Sequence, residues 1–170
     1  MTVSELNGLA HVDAAAEFRR CCGSARWAER MARARPFRDF DSLAVTGDVV
    51  WNALHPDDWR EAFAAHPRIG EGGVGRAGKA GGPEAAWPAQ EQAGAANADA
   101  EVKRRLHERN RDYEARFGYI FIVCATGKSA SEMLTILERR LSNDPDRELR
   151  IAADEQRQIT RLRLAKLLDV

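Results

Sequence analysis

The feature that most constrains the fold is one apolar, β-prone run, Tyr119–Ala125 (YIFIVCA), in a chain that otherwise favours helices. A strand needs a neighbour to pair its backbone groups, and no second run of this kind lies near it in the sequence. We therefore predict a buried extended segment wrapped by helices. The predicted fold class is all-α, a single-domain helical bundle over residues 1–170 with one short buried extended segment.

Local signals set the predicted helix ends. Asp13 is predicted to cap a helix over Ala14–Cys22, and Gly23 stands where helices often stop. Ser129 and Glu132 have capping-box spacing at the start of another helix. The predicted helices cover residues 14–22, 24–35, 42–54, 56–66, 88–95, 99–116, 129–141 and 146–168.

The segment from residue 70 to residue 82 contains seven of the thirteen glycines. We predict a glycine-rich loop over about 70–87, since loops this long in compact domains are commonly functional lids or disordered. A flexible linker between two domains is the alternative. The flanking sequences look too short for separate domains, which favours one domain.

The charge balance argues against nucleic-acid and membrane partners. Lys and Arg number 26, as do Asp and Glu, so the formal net charge is zero. Binding to a polyanion by counterion release needs concentrated positive charge. No run approaches the roughly 20 apolar residues of a transmembrane helix, and the N-terminus lacks the stretches of a signal peptide. The three cysteines form no disulfide framework, so we expect a cytoplasmic protein with reduced thiols.

The cofactor motifs are incomplete. Residues 125–129 (ATGKS) end like a phosphate-binding loop, but Ile122 replaces the glycine required five residues before Gly127. His107 and Glu108 lie on a predicted helix, but Arg111 occupies the position of the second zinc-binding histidine. The four histidines show no metal-ligand spacing with any cysteine. We predict neither a metal nor a cofactor.

Three polar features border the unusual backbone segments. His66 lies at the mouth of the glycine-rich loop, and an imidazole with an ordinary pKa of about 6.5 suits proton transfer. Residues 90–92 (QEQ) lie at the far end of the loop, and the backbone of 121–125 offers amides and carbonyls to a planar polar ligand. Each feature also has an ordinary explanation. His66 could be a surface histidine before a proline, the carboxylate of 90–92 could stabilise a helix N-terminus, and 121–125 could serve core packing alone.

Together, these features stand in the order found in one enzyme family. The segments that carry the resemblance are 66–71 (HPRIGE), 91–94 (EQAG), 117–119 (FGY) and 121–127 (FIVCATG). Weaker agreement over 6–7, 35–37, 140–145 and 159–164 extends it to nearly the whole chain. The sequence resembles the 2-oxo-4-hydroxy-4-carboxy-5-ureidoimidazoline (OHCU) decarboxylases, which are enzymes of urate degradation.

The resemblance implies an all-α, cofactor-free enzyme that is commonly a homodimer and acts on a small-molecule substrate. That substrate is an unstable ring that bears a carboxylate and a hydroxyl on one carbon. Loss of the carboxylate as carbon dioxide leaves negative charge that the ring delocalises. Protonation on one face then gives (S)-allantoin.

The resemblance also implies roles for individual residues. His66 corresponds to the catalytic acid/base, and Glu91 would orient it or hydrogen-bond the substrate hydroxyl. Gln92 would bond the ring or ureido group, and Pro67 would supply an apolar surface to the ring. Arg163 would hold the carboxylate or the ureido carbonyl, which suits a guanidinium fork. The other implied substrate-binding residues are Pro88, Ala89, Gln90, Phe121, Ile122, Val123, Cys124 and Ala125.

One position departs from the family pattern. The family usually has Ser three residues before the glutamate, and Pro88 stands there in this chain. Proline is acceptable in the first turn of a helix, whereas loss of a hydroxyl cap costs about 1 kcal/mol. We still expect an active enzyme. The alternatives are a related enzyme on another ureido- or carboxyl-bearing heterocycle, and a non-catalytic helical interaction module.

Overall fold

A computed structural model describes residues 1–69 and 100–170, and helices account for most of their backbone. Within these ranges the helices are α1 (Val3–Gly8), α2 (His11–Cys22), α3 (Ala25–Arg33), α4 (Phe40–Asn52), α5 (Pro56–Ala64), α6 (Ala100–Phe117), α7 (Ala130–Arg140) and α8 (Pro145–Leu168). No residue of the two ranges belongs to a strand, which confirms the all-α fold class. None of these helices is long and apolar enough to cross a membrane. The predicted helix over 88–95 and the predicted loop over 70–87 lie outside the described residues.

The chain divides into two units by its internal contacts. Unit 1 comprises Met1–Ala62 and Gln156–Val170, and unit 2 comprises Phe63–Glu155. Helix α8 supplies residues to both, because the division falls between Glu155 and Gln156. A single domain over residues 1–170 stays a prediction.

Turn and cap residues set the path of unit 1 between α2 and α3. Gly23 follows α2 in the left-handed conformation (φ 87°), which a residue without Cβ adopts at little cost. The Ser24 hydroxyl accepts the amide N–H of Trp27 and caps α3. Trp27 is fully buried, packs edge-on against Phe18 and donates its indole N–H to the Gly47 carbonyl at 3.0 Å. The predicted helix stop at Gly23 and start at Ser24 are confirmed.

The predicted N-terminal boundaries are wrong in two places. The prediction lacks α1, although Thr2 and Glu5 form a capping box at its start. Helix α2 begins at His11 instead of Ala14, and Asp13 lies in its first turn instead of capping it. The residue before α2 is Ala10, whose side chain makes no cap hydrogen bond, so the sequence carries no cap signal at the true start of this helix.

A second boundary error concerns α4. This helix begins at Phe40 instead of Ser42, because Asp39 is the cap. The Asp39 carboxylate accepts the Ser42 amide at 2.8 Å, and the Ser42 hydroxyl accepts the Asp39 amide at 3.1 Å. Ser42 is thus the third residue of a capping box rather than the start of the helix. The predicted start of α5 is confirmed, since Pro56 is its first residue.

Two polar side chains hold the segment after α3 to the N-terminal helix. The Asn7 side chain donates to the Phe37 carbonyl at 2.7 Å and accepts the Phe37 amide at 2.9 Å. The Arg35 guanidinium donates to the carbonyls of Leu6 and Leu9, each at 2.8 Å. The Arg35 bonds satisfy carbonyls that α1 leaves free at its C-terminal end, and the Asn7 bonds pair both backbone groups of Phe37.

The β-prone run of unit 2 is buried and extended. The chain leaves α6 through Gly118, whose φ is 79°, and residues 120–125 have neither helix, turn nor bend geometry. Residues 121–125 are each at most 7 % exposed. The predicted buried extended segment is confirmed.

A buried ion pair lies behind this segment. Arg140 near the end of α7 and Glu148 in α8 are both almost fully buried, with Nη2 2.6 Å from Oε1. The Tyr113 hydroxyl of α6 donates to the same Glu148 oxygen, and the Asn143 side-chain amide donates to the other at 2.7 Å. Arg140 also donates to the Ile122 carbonyl at 2.8 Å. The pair therefore joins three helices and the extended segment within unit 2.

We expect Arg140→Ala to lower the free energy of unfolding by about 3–5 kcal/mol, because it leaves the buried Glu148 carboxylate without its counter-charge. Arg139→Ala is the matched control, since Arg139 is the exposed neighbour. Urea denaturation followed by circular dichroism gives both values. Equal stability of the two variants would contradict the assigned role of the pair.

Candidate active site

His66 lies just beyond the C-terminal end of α5. Its amide donates to the Phe63 carbonyl at 3.1 Å, which closes a turn after the helix. The residue is half-buried with Nε2 shielded from solvent, whereas Pro67 is exposed. The Phe63 ring lies 5.2 Å from the Tyr119 ring, between centroids, so the His66 turn is linked to the start of the extended segment. Imidazoles commonly act as general acids and bases, so His66 remains the predicted proton-transfer residue.

Side chains of α6 fix the chain that follows His66. The Arg68 guanidinium binds the Glu114 carboxylate through two nitrogens, with Nε–Oε2 at 3.0 Å and Nη2–Oε2 at 2.7 Å. The Asn110 side-chain amide donates to the Ile69 carbonyl at 3.1 Å. Because a bidentate arginine pair restricts orientation as well as distance, these bonds hold residues 67–69 against α6.

Charged side chains satisfy one edge of the extended segment. Arg140 donates to the Ile122 carbonyl, as described above. The Cys124 amide donates to the Glu155 carboxylate at 2.7 Å, and the Lys128 ammonium donates to the Cys124 carbonyl at 2.7 Å. In extended backbone the N–H and C=O of one residue face the same side, and those of the next residue face the other side. The even-numbered residues therefore turn their polar groups toward these three charges.

The opposite edge of the segment is left open. Among the described residues, none accepts the Val123 or Ala125 amide, and none donates to the Val123 carbonyl. Val123 and Ala125 are 4 % and 7 % exposed. Buried backbone groups are nearly always paired, with protein, water or ligand. Free peptide groups at this edge are therefore suited to bind a planar polar ligand.

Arg163 lies in α8 within unit 1 and is 6 % exposed. Its guanidinium lowers the thiol pKa of Cys21 and Cys22, but burial dominates and raises each to about 12. Arg161, two residues earlier, is exposed and lies 3.8 Å from Asp48. Of these two arginines, the buried one is Arg163, to which the family resemblance assigns a substrate-binding role.

The remaining predicted site residues lie outside the described residues. They are Pro88, Ala89, Gln90, Glu91 and Gln92. Within the described residues no three His, Cys, Asp or Glu side chains form a group that could hold a metal ion. Sequence reasoning missed Glu155, and it considered Lys128 only as part of an incomplete phosphate-binding motif. Cys124 and Glu155 lie 31 residues apart, and no sequence pattern indicates the hydrogen bond between them.

Comparison with known proteins identifies the family. The family model described as OHCU decarboxylase matches residues 7–165 of the 170. The chain belongs to the OHCU decarboxylase family. Among solved structures, an OHCU decarboxylase crystallised in the presence of (S)-allantoin is 37 % identical, with a TM-score of 0.77. That match covers 91 % of this chain and 98 % of the other.

Curated relatives of this OHCU decarboxylase family member include longer proteins. The uric acid degradation bifunctional protein TTL of Arabidopsis thaliana is 39 % identical over 89 % of this chain, which is 46 % of the relative. The putative OHCU decarboxylase of Homo sapiens is 32 % identical over 79 % of this chain and 76 % of the relative. The chain spans less than half the length of the first curated relatives it matches, from Arabidopsis thaliana, Amia calva and Mus musculus.

We expect Cys21 and Cys22 to be unreactive in the folded protein at pH 8, because burial raises the pKa of each thiol to about 12 and only the thiolate is nucleophilic. The measurement is Ellman titration of Cys124→Ser, in which these are the only thiols. Both should react once the protein is unfolded in guanidinium. Rapid reaction in the folded state would show that these side chains are accessible.

Proposed function

We propose that this chain catalyses the cofactor-independent decarboxylation of OHCU to (S)-allantoin in urate degradation. The observation that carries the proposal is the open edge of the buried extended segment, which lies in the same unit as His66. It occurs in a member of the OHCU decarboxylase family, and a similar protein was crystallised in the presence of (S)-allantoin.

The proposed ligand site is formed mainly by backbone. OHCU carries ring and ureido N–H and C=O groups, which are the complements of free peptide groups. Within 121–125, the groups of Val123 and Ala125 are proposed to receive them, and the neighbouring side chains exclude water. A buried peptide hydrogen bond is stronger than the same bond in water, because the local dielectric is lower. Pro67 is proposed to offer an apolar surface to the ring.

His66 is proposed to manage protons during the reaction. The bond to the carboxylate breaks, its electron pair enters the ring, and carbon dioxide leaves. The ring hydroxyl loses its proton as a carbonyl forms, and a proton is added to one face of the carbon that bears the ureido group. A single proton donor fixed on one side accounts for one enantiomer. The turn in which the His66 amide donates to the Phe63 carbonyl fixes the backbone from which the imidazole extends.

The other proposed site residues follow the family resemblance. Arg163 is proposed to hold the substrate carboxylate or ureido carbonyl, since a guanidinium binds such groups through two parallel N–H donors. Glu91 is proposed to orient His66 or the substrate hydroxyl, and Gln92 to bond the ring or ureido group. Pro88, Ala89 and Gln90 complete the proposed binding segment.

We also propose that the enzyme is a cytoplasmic homodimer. The homodimer follows the family resemblance. The cytoplasmic location follows from the cysteine pattern, which forms no disulfide framework. The zero formal net charge supports a small-molecule substrate over a nucleic acid or an anionic membrane as partner.

We expect His66→Ala to slow (S)-allantoin formation by about 10²–10⁴-fold, the usual contribution of a general acid/base. Glu91→Ala should also lose most of the rate acceleration. OHCU is generated in situ from urate by urate oxidase and 5-hydroxyisourate hydrolase, and circular dichroism follows the optically active product. His11→Ala is the control, because His11 is an exposed histidine that pairs with Glu29 in unit 1.

The wild-type protein separates the candidate functions. Rapid appearance of (S)-allantoin supports the proposal, and near-wild-type turnover by His66→Ala would refute the role of this residue. Racemic product at the background rate would refute the proposed reaction. The same assay with Pro88→Ser then tests the departure at Pro88: recovery of activity would point to loss of the family hydroxyl, and continued inactivity to another heterocycle or a non-catalytic module.

A further inference from the structure

Three charged side chains contact successive polar groups along one edge of the extended segment. The Arg140 guanidinium meets the Ile122 carbonyl at 2.8 Å, and the Glu155 carboxylate meets the Cys124 amide at 2.7 Å. The Lys128 ammonium meets the Cys124 carbonyl, also at 2.7 Å. In a sheet, neutral backbone groups of a neighbouring strand would occupy these positions. Here each partner carries a full charge, and each charge has the sign that its peptide group favours.

These charges act across each peptide unit. The C=O and N–H of one planar, trans peptide unit point in opposite directions, so a bond at one end polarises the other. Donation of the Cys124 amide to a carboxylate makes the Val123 carbonyl a stronger acceptor. Donation of the Lys128 ammonium to the Cys124 carbonyl makes the Ala125 amide a stronger donor. The bond from Arg140 to the Ile122 carbonyl makes the Val123 amide a stronger donor in the same way.

The open edge therefore has a defined order of groups. It presents a donor and an acceptor at Val123 and a second donor at Ala125, each polarised from behind. The ligand that complements this order has an acceptor, a donor and an acceptor in sequence. A cyclic ureide or imide has this pattern where a ring N–H lies between a carbonyl and a second oxygen acceptor, which is a carbonyl in (S)-allantoin and the hydroxyl in OHCU. The pattern matches a chemical class rather than one compound.

We infer that Lys128 and Glu155 are positioning residues, which hold and polarise the two peptide units of Cys124 so that the opposite edge binds a cyclic ureide or imide. The inference rests on the proposed function, because it takes 121–125 as the substrate-binding segment. Neither side chain touches the reacting atoms in this scheme. These two side chains are expected to change the affinity for the ligand, whereas His66 is proposed to transfer protons.

Substitutions that change charge more than shape test the inference. Lys128→Met removes the ammonium, and Glu155→Gln keeps an amide oxygen that can accept the Cys124 amide but removes the charge. Lys166→Met and Glu108→Gln are matched controls, since Lys166 is exposed and Glu108 pairs with Arg104 on the surface. Isothermal titration with (S)-allantoin gives Kd, and the coupled circular-dichroism assay with OHCU gives KM and kcat.

We expect each variant to weaken (S)-allantoin binding about tenfold, equivalent to ~1.4 kcal/mol, and to raise KM with kcat changed less than about twofold. Lys128→Arg, which keeps a charged donor, should restore most of the affinity. In ¹⁵N–¹H spectra of the wild type, (S)-allantoin should shift the Val123 and Ala125 amides. Thermal unfolding of each variant controls for loss of fold.

The outcomes distinguish this inference from the proposed function. An active wild type whose Lys128→Met and Glu155→Gln variants keep the wild-type Kd and KM would overturn the positioning role and leave the function intact. Equal losses in Lys128→Met and Lys128→Arg would also overturn it, because the charge would then be irrelevant. A wild type that forms no (S)-allantoin would refute the proposed function and, with it, the inference. If Lys128→Met unfolds, the Kd values of Lys128→Arg and Glu155→Gln are compared instead. Weaker binding by Glu155→Gln than by Lys128→Arg supports the inference, and equal Kd values overturn it.

Discussion

The buried pair between Arg140 and Glu148 is the interaction on which the rest of unit 2 depends. Taking two charges out of water is expensive, and the expense is offset only where hydrogen bonds satisfy the remaining donors and lone pairs. Tyr113 and Asn143 supply those bonds to the carboxylate, and the guanidinium lies over the Phe121 ring, 4.7 Å from its centroid. Through the bond from Arg140 to the Ile122 carbonyl, the pair also connects the extended segment to three helices.

The backbone polar groups of the extended segment are paired differently from those of a strand in a sheet. A strand at the centre of a sheet has both edges paired by other strands, and its backbone cannot bind a ligand without losing a pair. Among the described residues, side chains pair one edge of 121–125, and none pairs the Val123 or Ala125 amide or the Val123 carbonyl at the other edge. Helices around the segment supply burial without supplying competing backbone groups. This combination is what the proposed binding of a small molecule to the segment requires.

Much of the fold could be predicted from local signals, because each depends on a few neighbouring residues. Gly23, Ser24 and Ser129 end or begin helices as their chemistry predicts. Asp13 failed as a cap because α2 begins after Ala10, which offers no capping side chain. The candidate site was predictable only in part: the buried extended segment follows from its apolar, β-prone residues, whereas Glu155 lies 31 residues from its partner Cys124. Long-range pairing has no local pattern, so the residues behind the segment stayed hidden.

Recognition through backbone also changes where evolution is constrained. If the free groups of Val123 and Ala125 bind ligand, the contact depends on the path of the backbone, so an apolar substitution that keeps this segment buried preserves the contact. The restriction moves to Arg140, Lys128 and Glu155, which stand behind the segment. Under that condition, ligand discrimination depends on residues that do not touch the ligand, and substitutions that alter it lie behind the segment.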